Sequence, residues 1–285
     1  MRGAARRAPV LRVAIARVDD PALAWPADRA DGPDWLGAAE RARWATLRDA
    51  ARPAFVASRA LARRLLADLD GVPASRWVLS AQPGTAPRAL LREDEGAGEC
   101  GEARDGGCEL EGEGEGEGDG DGDGDGEDAL GPVHAPPSVS LAHRLGWVAA
   151  AVADAALGPV GIDVECEHPA RSDPGERAAL MLCARELAAW SVLAPGERAD
   201  ALLRAWVAKE AWFKSAPAGT APWDFRRVAV AASAPANANL RVWSGAGLHL
   251  GVCCADAGAL AAAHCAGVDA AGVHAATFWR VAQAD

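Results

Sequence analysis

Apolar residues alternate with arginine and alanine along Val10–Val18, and that short period predicts a first strand. The spacing then becomes helical over Gly37–Leu47 and again over Pro53–Leu69, where Phe55, Leu61, Leu65, Leu66 and Leu69 share one face. Arg59, Arg63 and Arg64 lie along that second helix. Trp77–Ser80 reads as a short strand, followed by the Gly/Pro-rich Gln82–Pro87.

Residues 92–128 break every pattern. Glu-Gly and Asp-Gly pairs repeat there with almost no apolar residue, so the segment cannot bury enough surface to offset its ordering entropy and reads as a disordered linker. A calcium loop fails on spacing, because Leu130 or Pro132 falls where a bidentate Glu belongs. Apolar patterning resumes in three strands, Ser138–Ala142, Trp147–Ala153 and Val160–Cys166. The middle one is nearly all apolar, as a strand buried on both faces is. Helices are predicted over Glu176–Leu193 and Glu197–Ser215, then strands at Arg227–Ala231, Leu240–Trp243, Leu248–Cys254 and Thr277–Val281. The order is an α+β pattern in two clusters of similar size.

Charge sharpens this division. The 285 residues carry a formal net charge of −11, but residues 92–128 hold 17 acids and two arginines. The other 248 residues have 27 bases against 23 acids, a mildly basic surface suited to phosphates or an acidic protein. Seven cysteines, with no CxxC or zinc-knuckle spacing, fit a reducing compartment. The basic N-terminus lacks an apolar signal core, and no segment is long and apolar enough to span a bilayer. A cytoplasmic location is expected, without membrane or nucleic-acid partners.

Two features point to chemistry. Asp163 and Glu165 in Gly161-Ile-Asp-Val-Glu165 are two apart on a strand, so both carboxylates share a face. Such a pair repels unless protonated or bridged by a cation, and Mg²⁺ is an economical bridge. A solvent-facing acidic pair at a strand end is the other reading. The second feature is lysine: 27 of the 29 basic residues are arginine, and the only lysines are Lys209 and Lys214. Lysine kept in so arginine-rich a chain suggests that a compact ammonium is wanted there. Trp206, Glu210 and Lys214 line one helical stripe, with Trp212 and Phe213 beside it. The plainer reading is a surface ion pair between Glu210 and Lys214. His143 ends a strand just before a turn at Gly146, where a phosphate contact or a purely structural role both fit.

Taken together, Gly161-Ile-Asp-Val-Glu165 and Trp206-x-x-Lys-Glu-Ala-x-x-Lys214 resemble the paired signature of 4′-phosphopantetheinyl transferases, in particular the larger, monomeric surfactin-type class. Ser-Leu-Ala-His143 resembles that family's Ser-His segment, and Phe55–Arg63 its N-terminal helix, so the likeness covers most of the chain outside 92–128. It implies two pseudo-symmetric α/β halves with the active site between them. The first half would span 1–91 and 129–157, interrupted by the linker 92–128, and the second 158–285. It implies transfer of the phosphopantetheine arm of coenzyme A to a serine of an apo acyl, polyketide or peptidyl carrier protein, with release of 3′,5′-ADP. Asp163, Glu165 and Glu210 would hold Mg²⁺, with Mn²⁺ as an alternative ion. Lys214 would neutralise or protonate the departing phosphate, Lys209 would support the same region, and Glu210 or a water would be the base. His143 would contact the diphosphate and Arg59 the 3′-phosphate, while Glu186 matches a secondary acidic position.

The chain also departs from the family pattern. The usual Gly-Lys-Pro is Gly84-Thr-Ala-Pro87, leaving Arg88 or Arg76 to replace the missing charge, and Ala142 and Arg144 stand where serines commonly flank the histidine. Two other functions use the same residues: a Mg²⁺-dependent phosphohydrolase with water as nucleophile, and a degenerate paralogue that binds coenzyme A or a carrier without transfer.

Overall fold

The computed structural model describes residues 8–23, 32–80, 86–92, 135–167, 173–216, 223–273 and 275–284. Residues 93–128 of the predicted linker and most of Gln82–Pro87 lie outside them.

The first strand, β1 (Leu11–Arg17), is followed by α1 (Ala38–Thr46) and α2 (Arg52–Asp70). A Pro near its start and Gly71 in the left-handed conformation after its end delimit α2. A small hairpin pairs β2 (Trp77–Leu79) with β3 (Ala89–Leu91), and β3 is a strand the sequence pattern did not predict. Next come β4 (Ser138–Arg144), β5 (Trp147–Ala153) and β6 (Val160–Cys166).

The single helix expected over Glu176–Leu193 is two, α3 (Pro174–Met181) and α4 (Ala184–Ser191). Leu182 is extended, and the Glu186 carboxylate accepts the Cys183 N–H at 3.0 Å, which starts a new helix there. The long α5 (Pro195–Ser215) leads to β7 (Val228–Ala232), β8 (Leu240–Gly245) and β9 (Leu248–Cys254). The Ala-rich α6 (Ala257–Ala262) and the two-residue β10 (Cys265–Ala266) escaped the pattern before β11 (Ala275–Gln283).

The architecture is α+β. One sheet has the order β10-β1-β5-β4 and the other β6-β9-β8-β11-β7. Apolar β5 is buried on both faces, as its composition predicts. Val148, Ala150 and Val152 pack with Ala57, Leu61, Leu65 and Leu66 of α2. Ala149, Ala151 and Ala153 pack with Ile162, Val164, Leu250 and Val252 of the second sheet. The alanines keep the sheets close, and α5 covers the far face of the second sheet through Val207, Ala208 and Ala211. Among the described residues no helix is long and apolar enough to cross a membrane.

At the seam between the sheets, serine hydroxyls take the place of a backbone ladder. Ser138 Oγ accepts the Val160 N–H and Ser140 Oγ accepts the Ile162 N–H, each at 3.0 Å. These bonds satisfy strand-edge amides that would otherwise be buried unpaired. Ser140→Ala should cost about 1–3 kcal/mol, because it orphans a buried N–H. Urea unfolding will measure this, and an unchanged midpoint would mean that the seam does not depend on the bond.

Candidate active site

The site begins with a glycine. Gly161, Asp163 and Glu165 alternate onto the α5 side of β6, while Ile162 and Val164 enter the inter-sheet core. A Cβ on Gly161 would lie 1.8 Å from the Ala211 carbonyl oxygen, and one on Gly251 would lie 2.9 Å from that of Val207. Both glycines let α5 rest directly on the sheet. Gly161→Ala should therefore push α5 outward and cost about 1–3 kcal/mol or more. A thermal melt equal to that of the unaltered chain would contradict this close contact.

This approach brings the helix stripe onto the strand pair. Lys214 Nζ lies 2.6 Å from Asp163 Oδ1 and 3.5 Å from Glu210 Oε2. Trp206 Nε1–H donates to Glu210 Oε1 at 2.6 Å, fixing the carboxylate from the preceding turn. Asp163 is 4% exposed and its Oδ2 has no hydrogen-bond partner. Burial raises its pKa to about 7, with Lys214 opposing the shift and Glu210 and Glu165 adding to it.

The end of β4 closes the other side. The serine bonds pair β4 with β6 at a sequence offset of 22, which carries His143 to the level of Glu165. Leu145 and Gly146 both have positive φ and form the two-residue turn from β4 to β5. Arg144 Nε lies 3.3 Å from Glu165 Oε2. Desolvation, then the charges of Lys214, Arg59 and Arg144, holds the His143 imidazole below its ordinary pKa. Lys214, Arg59 and Arg144 are thus all near enough to His143 to act on it. Arg59 is itself anchored: its Nε is 3.3 Å from buried Glu40 Oε1, and its guanidinium sits 3.6 Å from the Phe55 ring centroid. Burial lowers its pKa to about 10, against the raising effect of Glu40.

Four expected site residues lie elsewhere. Lys209 is fully buried, and Nζ donates to Met181 O, Glu186 Oε2 and Phe225 O at 2.8, 2.5 and 2.9 Å. The other oxygen of Glu186 accepts the Val230 N–H. This pair ties α3, α4 and β7 to α5. Arg88 bridges Ser138 at the start of β4, about 17 Å along the strand from His143. Arg76 is exposed and donates to the Arg92 carbonyl beside the small hairpin. The residue that sequence reasoning did not assign is Arg144; it stood out only as a departure from the family's serine.

Residues 159–256 match the model of the 4′-phosphopantetheinyl transferase superfamily. This segment is similar to that superfamily. The superfamily segment runs from β6 past β9 and contains Asp163, Glu165, Glu186, Lys209, Glu210 and Lys214, whereas Arg59, His143 and Arg144 precede it. Members transfer phosphopantetheine, with coenzyme A as substrate and carrier proteins as partners. No curated protein matches the chain.

Proposed function

We propose that this chain transfers the 4′-phosphopantetheine arm of coenzyme A to a serine of an apo carrier protein and releases 3′,5′-ADP, as a cytoplasmic monomer of the surfactin-type class. The observation carrying this reading is the Asp163–Lys214–Glu210 cluster, built within the superfamily segment by the close contact of α5 and β6.

A divalent ion belongs to the proposal. Among the described residues no three carboxylate, imidazole or thiolate groups form a ready metal cluster. Instead Lys214 bridges Asp163 and Glu210, and Arg144 pairs with Glu165. Cations thus occupy all three carboxylates, and the unpartnered Asp163 Oδ2 leaves a buried oxygen in need of one. This hard-oxygen donor set fits Mg²⁺ once the two side chains turn away. Asp163, Glu165 and Glu210 would hold the ion, which when bound would supply charge neutralisation to the diphosphate.

The reaction is a displacement at phosphorus. The serine oxygen forms a bond to the phosphorus bearing the pantetheine arm, and the bond from that phosphorus to the bridging oxygen of 3′,5′-ADP breaks. Glu210 accepts the serine proton, with Trp206 fixing its carboxylate. Lys214 turns its ammonium to the phosphate oxygen that gains charge on the leaving group. His143 and Arg59 bind the remaining phosphates.

Intact-mass spectrometry of an apo carrier protein incubated with this chain, coenzyme A and Mg²⁺ tests the reading. A gain of one phosphopantetheine arm, lost with EDTA, is expected. Release of phosphopantetheine from coenzyme A without a carrier would replace the proposal with hydrolysis. No gain on acyl or peptidyl carriers, with coenzyme A still bound, would leave a binder.

A further inference from the structure

Arg144 occupies an unusual electrostatic position. It pairs with Glu165, one of the carboxylates proposed to hold the metal, and its side chain is 38% exposed against 8% for Glu165. Three carboxylates, Asp163, Glu165 and Glu210, face two cations, Lys214 and Arg144, leaving the cluster one negative charge in excess. Adding a divalent ion reverses that balance to a single positive charge. The carboxylates then turn to the ion, and the guanidinium loses its only counterion in the cluster. It is left, with Lys214, among the cations that act on His143, and an anion there would be stabilised.

Among the described residues Arg144 makes no other ion pair. On the Arg59 side, Glu40 is fully buried and committed to Arg59 and Arg63. A phosphate is the natural partner: guanidinium binds it through two parallel hydrogen bonds, and the Arg144 side chain is partly open to solvent, from which a ligand can reach it. The local backbone supports the placement. The two-residue turn holds Leu145 at φ 44, a strained conformation for a residue with a Cβ, and so fixes Arg144 at the strand end, one residue past the level of Glu165.

We propose that Arg144 is an exchanging cation: it masks Glu165 from metal in the empty site and moves to a phosphate of the bound coenzyme A when metal takes that carboxylate. The inference rests on the transferase reading for the identity of the phosphate donor, but its two halves are read by binding alone. The assignment makes Arg144 both a competitor of metal and a ligand of substrate, so one substitution should move the two affinities in opposite directions.

The test compares the unaltered chain with Arg144→Gln and Arg144→Lys. Mn²⁺ binding is followed by its paramagnetic resonance signal without coenzyme A, and coenzyme A binding by calorimetry at saturating Mg²⁺ without a carrier. Arg144→Gln should bind Mn²⁺ about fivefold more tightly, because an exposed competing ion pair is gone. The same variant should bind coenzyme A about tenfold more weakly, through loss of a charge-assisted phosphate contact. Arg144→Lys should recover part of both. Weaker Mn²⁺ binding in Arg144→Gln would overturn the masking, leaving Arg144 to orient Glu165. Unchanged coenzyme A affinity would overturn the exchange. If neither the unaltered chain nor a variant modifies a carrier while both affinities move as stated, the transferase reading fails and the role of Arg144 stands.

Discussion

Glu210→Gln should lower phosphopantetheine transfer by about 10³-fold while leaving the fold intact. The amide still accepts the Trp206 indole N–H through its oxygen, so the α5 stripe keeps its packing. What is lost is the charge: the side chain can no longer take a proton or share a divalent ion with Asp163. Lys214→Arg belongs to the same test. A guanidinium keeps the positive charge, but it is planar and larger than the ammonium that sits 2.6 Å from Asp163 Oδ1. It should restore transfer only partly relative to Lys214→Ala. Initial rates by mass spectrometry decide both; a near-normal rate for Glu210→Gln would remove this carboxylate from the mechanism.

The second large effect concerns stability. Lys209→Met should destabilise the chain by about 3–5 kcal/mol, the usual consequence of stranding one member of a buried ion pair. Burial is already the main influence on Lys209, lowering its pKa, while the hydrogen bond and charge of Glu186 oppose this. Without the ammonium, the Met181 and Phe225 carbonyls lose their donor and α3 loses its tie to α5. Lys209→Met combined with Glu186→Leu should recover much of the loss, since the uncompensated charge is then gone. A single variant that unfolds normally yet fails in transfer would instead return Lys209 to the chemistry.

The contrast between the two lysines shows where sequence reading succeeds and where it stops. They are five positions apart on one helix, which places them roughly 140° apart around its axis. That rotation was available from the sequence, but the density of the motif drew both toward one site. Strands β5, β6 and β9 were legible to the residue, because each is an apolar run cut off by glycine, aspartate or a turn. The break between α3 and α4 was not legible. It depends on Glu186 reaching the Cys183 amide, and neither residue type announces a helix start from that position.

Asp163, Glu165, Glu210 and Lys214 were readable as two short patterns, but their meeting required Gly161 and Gly251 to act together across strands. Arg144 was invisible as a site residue because its role depends on the β4–β6 offset, a tertiary fact. The position of Arg88 was not legible for the same reason: closeness in sequence to the altered Gly-Lys-Pro segment says nothing of which end of β4 it meets.

Strand β10 has a consequence for the chain as it is made. Cys265 and Ala266 form the outer edge of the first sheet by pairing with Val13 and Ala14. Gly267 then passes so close to Ile15 that a Cβ there would meet its carbonyl oxygen at 2.0 Å. On a ribosome adding about 5–20 residues per second, roughly ten to fifty seconds separate synthesis of the two partners. Throughout that interval the edge of β1 has no partner from β10, and such an edge can recruit a strand from another nascent chain. The alternating arginines Arg12 and Arg17 put charge on that strand while it waits, so crowding during overexpression, and not instability of the finished protein, is the hazard this topology carries.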